Sequence, residues 1–207
     1  MTEQQGLDAL VIRNIGDIAA AMKHADEVLG PRVWTEAGKA VEKAGSNDTW
    51  YAEFDASIES VWLAKRTWLD GSADPDATFW LGLDEWTTPG GDGENCWLAT
   101  FTGTGENGAT LALWISQNMF SVARWKKLLK ANGKLVEELL QHGFRFDEED
   151  DRRLYLPVTI EPEALVKAFE EEDFDQAMQP LVQAVEIAIN AGAELDRLRE
   201  VANAELG

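Results

Sequence analysis

Residues 79–83 read Phe-Trp-Leu-Gly-Leu and residues 111–115 read Leu-Ala-Leu-Trp-Ile, and these two runs decide the fold class. In an extended chain, successive side chains leave on opposite sides. Phe79, Leu81 and Leu83 therefore share one side, and Trp80 and Gly82 the other. In the second run Leu111, Leu113 and Ile115 are set against Ala112 and Trp114. Strands built this way make a sheet with one aliphatic face and one face of tryptophan among small residues.

Outward from these runs, the same period of two predicts strands near 50–55, 61–69, 78–86, 96–103 and 109–116. The breaks between them are Asp70-Gly71-Ser72, Thr88-Pro89-Gly90-Gly91 and Gly105-Glu106-Asn107-Gly108, the last a hairpin signal because Asn-Gly accepts positive φ cheaply. The fourth run places Cys96 and Leu98 on the aliphatic side and Trp97, Ala99 and Phe101 on the tryptophan side. Two further short strands, 144–146 and 154–158, flank an acidic turn and form a small additional hairpin.

Helical spacing governs the rest. Ile15, Ile18, Ala19, Met22 and Leu29 form a stripe that ends at Gly30-Pro31, and a short helix follows over 34–44. Val122, Trp125, Leu128 and Leu129 line another helix, interrupted at Ala131-Asn132-Gly133 and continued by Leu135, Leu139 and Leu140 to a stop at Gly143. Pro162 opens a helix through Phe169. Asp173 with Gln176 reads as a capping box for a long helix carrying Leu181, Val185, Ala188, Ile189, Leu195 and Leu198, with Pro180 as its kink or restart. The expected class is α+β: an antiparallel meander of about five strands flanked by N-terminal and C-terminal helices, with the hairpin beside it. The expected organisation is one domain over 1–207 with a seam near Asn118.

The charge narrows the partners. The chain of 207 residues has 38 Asp and Glu against 18 Lys and Arg, a net charge of −20. Residues 46–118 carry 12 acids with Lys65 and Arg66 as the only bases, and residues 142–207 carry 17 acids and 6 bases. Arg124, Lys126, Lys127, Lys130 and Lys134 form the one basic segment. Such a surface repels phosphate backbones and anionic lipid. The nine tryptophans exclude an acidic disordered tail, and no run of roughly 18 apolar residues suggests a membrane span. The N-terminus lacks a basic-then-apolar leader, so the expected location is the cytoplasm.

Catalytic motifs are sparse. His24 and His142 are the only histidines and Cys96 the only cysteine, too few for a zinc knuckle. Neither histidine lies near a nucleophile signature. The glycine-rich segments Gly90-Gly91-Asp92-Gly93 and Gly103-Thr104-Gly105 lack the Lys-Ser or Lys-Thr of a phosphate loop. Helices over 122–140 followed by a hairpin have the order of a winged helix-turn-helix. Glu137, Glu138 and the acidic hairpin tip give that element the wrong sign for DNA.

Two functional readings remain. In the first, the chain is a non-catalytic acidic domain that binds a basic protein, as an immunity-type or antitoxin-like inhibitor or a DNA mimic does. Its aromatic platform is Trp80, Trp97 and Trp114. Its acids are Asp84, Glu85, Asp92 and Glu94, together with the run Asp147, Glu148, Glu149, Asp150 and Asp151. This reading needs no cofactor, no metal, no nucleic acid and no membrane, and admits a homodimer. It also needs part of the tryptophan face open, rather than covered by the C-terminal helix through Ala184, Ala188 and Gly192. In the second, carboxylates and a divalent metal serve a hydrolase or nuclease, with Asp84 and Glu85 as candidates.

Overall fold

The computed structural model describes residues 3–58, 60–71, 77–86, 97–105, 109–147 and 154–206. The chain is helical from Glu3 to Gly45: α1 (Glu3–His24), a π turn (Ala25–Leu29) and α2 (Gly30–Gly45). The stop expected at Gly30-Pro31 does not occur. Pro31 sits in the first turn of α2, where its missing N–H costs nothing, and the Gly30 N–H reaches back five residues to the Ala25 carbonyl.

Strands β1 (Trp50–Asp55), β2 (Ser60–Lys65) and β3 (Phe79–Trp86) follow, then a short helix α3 (Trp97–Phe101) and β4 (Thr110–Gln117). The strand expected over 96–103 is thus replaced, in its described part, by a helix. An apolar run of five residues fits either form, because periodicity cannot separate a short buried strand from one turn of buried helix. Phe101 is fully buried and the described element before β4 is α3, while Glu106, Asn107 and Gly108 of the expected hairpin turn lie outside the described residues.

The C-terminal half contributes α4 (Val122–Ala131), α5 (Gly133–His142), β5 (Arg145–Phe146), β6 (Leu154–Val158), α6 (Pro162–Glu171), α7 (Gln179–Asn190) and α8 (Gly192–Ala204). Gly143 ends α5 at φ 112°, a conformation that favours glycine. The long C-terminal helix is two helices broken at Ala191. Asp173 accepts the Asp175 N–H at 3.0 Å in a local turn, so α7 starts later, with Pro180 in its first turn.

All six strands form one antiparallel sheet in the order β1-β2-β3-β4-β6-β5. The C-terminal hairpin is therefore part of the main sheet rather than an appendage, and β6 lies against β4 where a projecting wing would stand free. One core cluster runs from Val33 to Ala202 and contains the aliphatic side of the sheet with Phe79, Leu81, Leu111, Leu113 and Ile115. Residues of α2 through α8 enter this same cluster, including Ala184 and Ala188. The C-terminal helices thus cover the aliphatic face. The opposite face has its own small cluster of Ala112, Trp114 and Tyr155.

Close packing of α2 on the sheet depends on Gly38. A Cβ there would lie 2.3 Å from the Phe54 ring. Gly38→Ala is expected to cost about 1–3 kcal/mol through overpacking, read by urea denaturation. Gly16→Ala, in an exposed helix interior where nothing lies within 4 Å, is its control and should not lower the midpoint.

Candidate functional site

The sheet is unevenly zipped. Strands β3 and β4 register over their whole length, whereas β2 and β3 register only through Trp62 with Gly82 and Leu63 with Leu81. Beyond those pairs the start of β2 and the end of β3 diverge and leave a cleft of about 440 Å³. From the helix-free face it is lined by Ser60, Trp62, Trp80, Asp84 and Ser116, and from the core side by Trp34 and Trp97.

Gly82 lets the indole of Trp80 lie across the strand. Its missing Cβ would sit 3.3 Å from the Trp80 Nε1. Trp62 meets Tyr51 at 5.4 Å with the rings tilted by 50°, the Tyr51 hydroxyl donates to Glu53 at 2.8 Å, and Glu53 is the cross-strand partner of Trp62. Trp34, on α2, meets Trp97 at 4.9 Å and Phe101 at 5.7 Å. A Cβ at Gly30 would make only ordinary contact with that of Trp97, at 3.7 Å. The Nε1–H of Trp34 is buried without a hydrogen-bond acceptor among the described residues, leaving a donor for a bound group.

The residues singled out in the sequence part company here. Trp80, Trp97 and Asp84 line the cleft, although Trp97 reaches it from a helix and not from a strand face. Trp114 lies on the helix-free face but is fully buried against Tyr155 at 4.8 Å. Asp84 is exposed and accepts the Glu85 backbone N–H at 2.8 Å. Being adjacent on a strand, Asp84 and Glu85 point to opposite sides, so they do not converge on one metal or one proton. Asp147 is half-buried beyond the end of β5, while Asp92, Glu94, Glu148, Glu149, Asp150 and Asp151, like Cys96, lie outside the described residues. Among the described residues, no three His, Cys, Asp or Glu side chains are grouped to hold a metal ion, and no helix is long and apolar enough to cross a membrane.

Sequence reasoning missed Trp62 and Trp34. Trp62 was legible: it shares its strand side with Ser60 and Ala64, as Trp80 does with Gly82. Trp34 was not, because nothing local shows which strand edge α2 will reach.

At the rim, the turn after β1 fixes one negative charge. The Ser57 hydroxyl and backbone N–H donate to Asp55 Oδ1 at 2.6 and 2.8 Å and hold its carboxyl below the usual range. The ionised form is therefore favoured by folding, and that contribution is lost as the pH falls through the lowered value. Ser57→Ala should move the Asp55 titration upward, as followed by carboxyl ¹³C shifts.

Chemically, the cleft offers indole faces, two hydroxyls and a carboxylate, groups that suit a cation. Among the described residues, no histidine, cysteine or lysine lines it. No protein-family model matches the chain, and no curated protein or solved structure matches it.

Proposed function

We propose that this chain is a non-catalytic, acidic protein-binding domain that holds a basic partner against the helix-free face of its sheet, as an inhibitor of the immunity, antitoxin or DNA-mimic kind does. The observation that carries this reading is the cleft in which Trp62 and Trp80 meet Asp84, with Trp34 and Trp97 behind them. Indole faces attract ammonium and guanidinium groups by about 0.5–2 kcal/mol each, more as water is excluded. A neighbouring carboxylate adds charge-assisted hydrogen bonding. The net charge of −20 draws a basic protein in from a distance and accelerates encounter.

The same chemistry already operates once inside the fold. The Lys65 ammonium lies 5.8 Å from the Trp50 ring and 6.0 Å from that of Trp68, bonded to Asp196. A cation between indoles beside a carboxylate is thus an arrangement this sequence builds and keeps.

Titration with an octa-arginine peptide, followed by tryptophan fluorescence, tests the reading. Binding should be saturable at low ionic strength and weaken steeply as salt screens the approach. An unchanged spectrum at low salt contradicts it.

A further inference from the structure

We propose that the partner fills the cleft with two groups at once, a basic side chain and a peptide carbonyl, and that the indole N–H of Trp34 donates to that carbonyl. The proposal rests on the reading of the cleft as a cation site and adds the second group that the site recognises.

A cation alone leaves the cleft half answered. Asp84 is the one carboxylate of the described lining, and it is exposed. Guanidinium and ammonium groups carry N–H donors and no acceptor. They suit that carboxylate and the indole faces, but they offer nothing to an N–H. Trp34 lines the cleft and is only 3% exposed, with its Nε1–H closed to water and unpaired among the described residues. Trp68 is buried to the same 3%, away from the cleft, and its Nε1–H donates to Asp196 at 2.8 Å. The fold thus pairs that indole where the core supplies an acceptor, and leaves Trp34 with a donor to give. Thr100 and Arg199 also keep a buried atom without a partner, but neither lines the cleft.

Gly82 leaves room for a second group. Trp80 and Ser116 are cross-strand partners on β3 and β4. The Cβ that Gly82 lacks would lie 3.3 Å from Trp80 Nε1 and 3.9 Å from Ser116 Oγ. The space it leaves is therefore bordered by an N–H donor and a hydroxyl, both able to bond a carbonyl oxygen. On the core side the Trp97 ring packs 4.9 Å from Trp34 and is half-buried. It is the wall that yields as the acceptor reaches Trp34.

Charge selects the acceptor. A carboxylate would enter beside Asp84 in a protein of net charge −20 and be repelled. A peptide carbonyl is neutral, accepts strongly and accompanies every basic residue of a protein. Protonated polyamines have the charge and lack the carbonyl. The cleft therefore distinguishes a basic protein segment from a small polycation.

Indole-¹⁵N-labelled protein titrated with two probes tests the proposal: octa-arginine blocked at both ends, and spermine, whose protonated amines donate but cannot accept. Both should bind at low salt. Octa-arginine should move the Trp34 Nε1 proton downfield, as a new hydrogen bond does, and spermine should not. Trp34→Phe keeps a ring and removes the donor, and should weaken octa-arginine about tenfold and spermine less than about twofold. Gly82→Ala, which leaves the core untouched, should also weaken octa-arginine more than spermine. A Trp34 proton that octa-arginine leaves in place overturns the proposal, as do equal losses for the two probes in both variants; in either case the cation reading stands. If neither probe binds the wild type, the cation reading falls and the proposal with it.

Discussion

Asp196→Ala is expected to destabilise the fold by about 3 kcal/mol, which lowers the melting temperature of a chain of this size by roughly 6–12 °C. Lys65 is 12% exposed at its side chain and donates to the Gly192 carbonyl at 2.9 Å and to Asp196. The other Asp196 oxygen accepts the Trp68 Nε1–H at 2.8 Å. One carboxylate on α8 thus satisfies two groups at and just beyond the end of β2. Its removal strands a nearly buried ammonium and a buried indole N–H together, and each loss carries its own desolvation cost. Gly192 sharpens the fit, since a Cβ there would lie 3.0 Å from the Lys65 Cε. The double variant Lys65→Met, Asp196→Leu removes both charges and should recover most of the loss. Urea denaturation of the three proteins measures this. If Asp196→Ala unfolds at the wild-type midpoint, the pair is not a clamp between α8 and the sheet.

Trp62→Ala combined with Trp80→Ala is expected to weaken octa-arginine binding about 10- to 100-fold, since two indole faces are removed from one cation. Trp62 and Trp80 are half-buried and belong to the helix-free face, so the fold should survive with a modest loss of stability. Asp84→Asn keeps the shape and removes the charge, and should reduce both the affinity and its salt dependence. Trp114→Ala is the contrasting case. Its ring is fully buried against Tyr155, so that change should lower stability and leave affinity per folded molecule unchanged. Equal loss of affinity from all three sites would point to general charge attraction rather than to a cleft.

The sheet was legible because its central strands alternate over enough residues to fix both faces. Phe79, Leu81, Leu111, Leu113 and Ile115 are all fully buried on one side, as their spacing requires. In the C-terminal third the helix boundaries at Gly143, Pro162 and Pro180 were legible, where backbone chemistry leaves few choices, but the break at Ala191 was not. The π turn was not: Gly30-Pro31 obeys the rule for a stop, and only the five-residue hydrogen bond to Ala25 lets the helix continue. Nor was α3, since five apolar residues carry too little period to separate one helical turn from a strand. The cleft was half legible. Alternation put Trp80 on the right face. The divergence of β2 from β3 arises from long-range pairing that no local pattern encodes, and so does the arrival of Trp34 and Trp97 from the helical side.

A cation that binds between these particular indoles, and not merely near an acidic protein, must perturb them selectively. Indole-¹⁵N labelling gives each of the nine tryptophans its own Nε1–H resonance, and titration with octa-arginine reports on all of them at once. Saturable shifts are expected at Trp34, Trp62, Trp80 and Trp97, with Trp50, Trp68 and Trp125 unmoved in the core beneath the sheet. Shifts spread evenly over the nine, or confined to the second group, would contradict it.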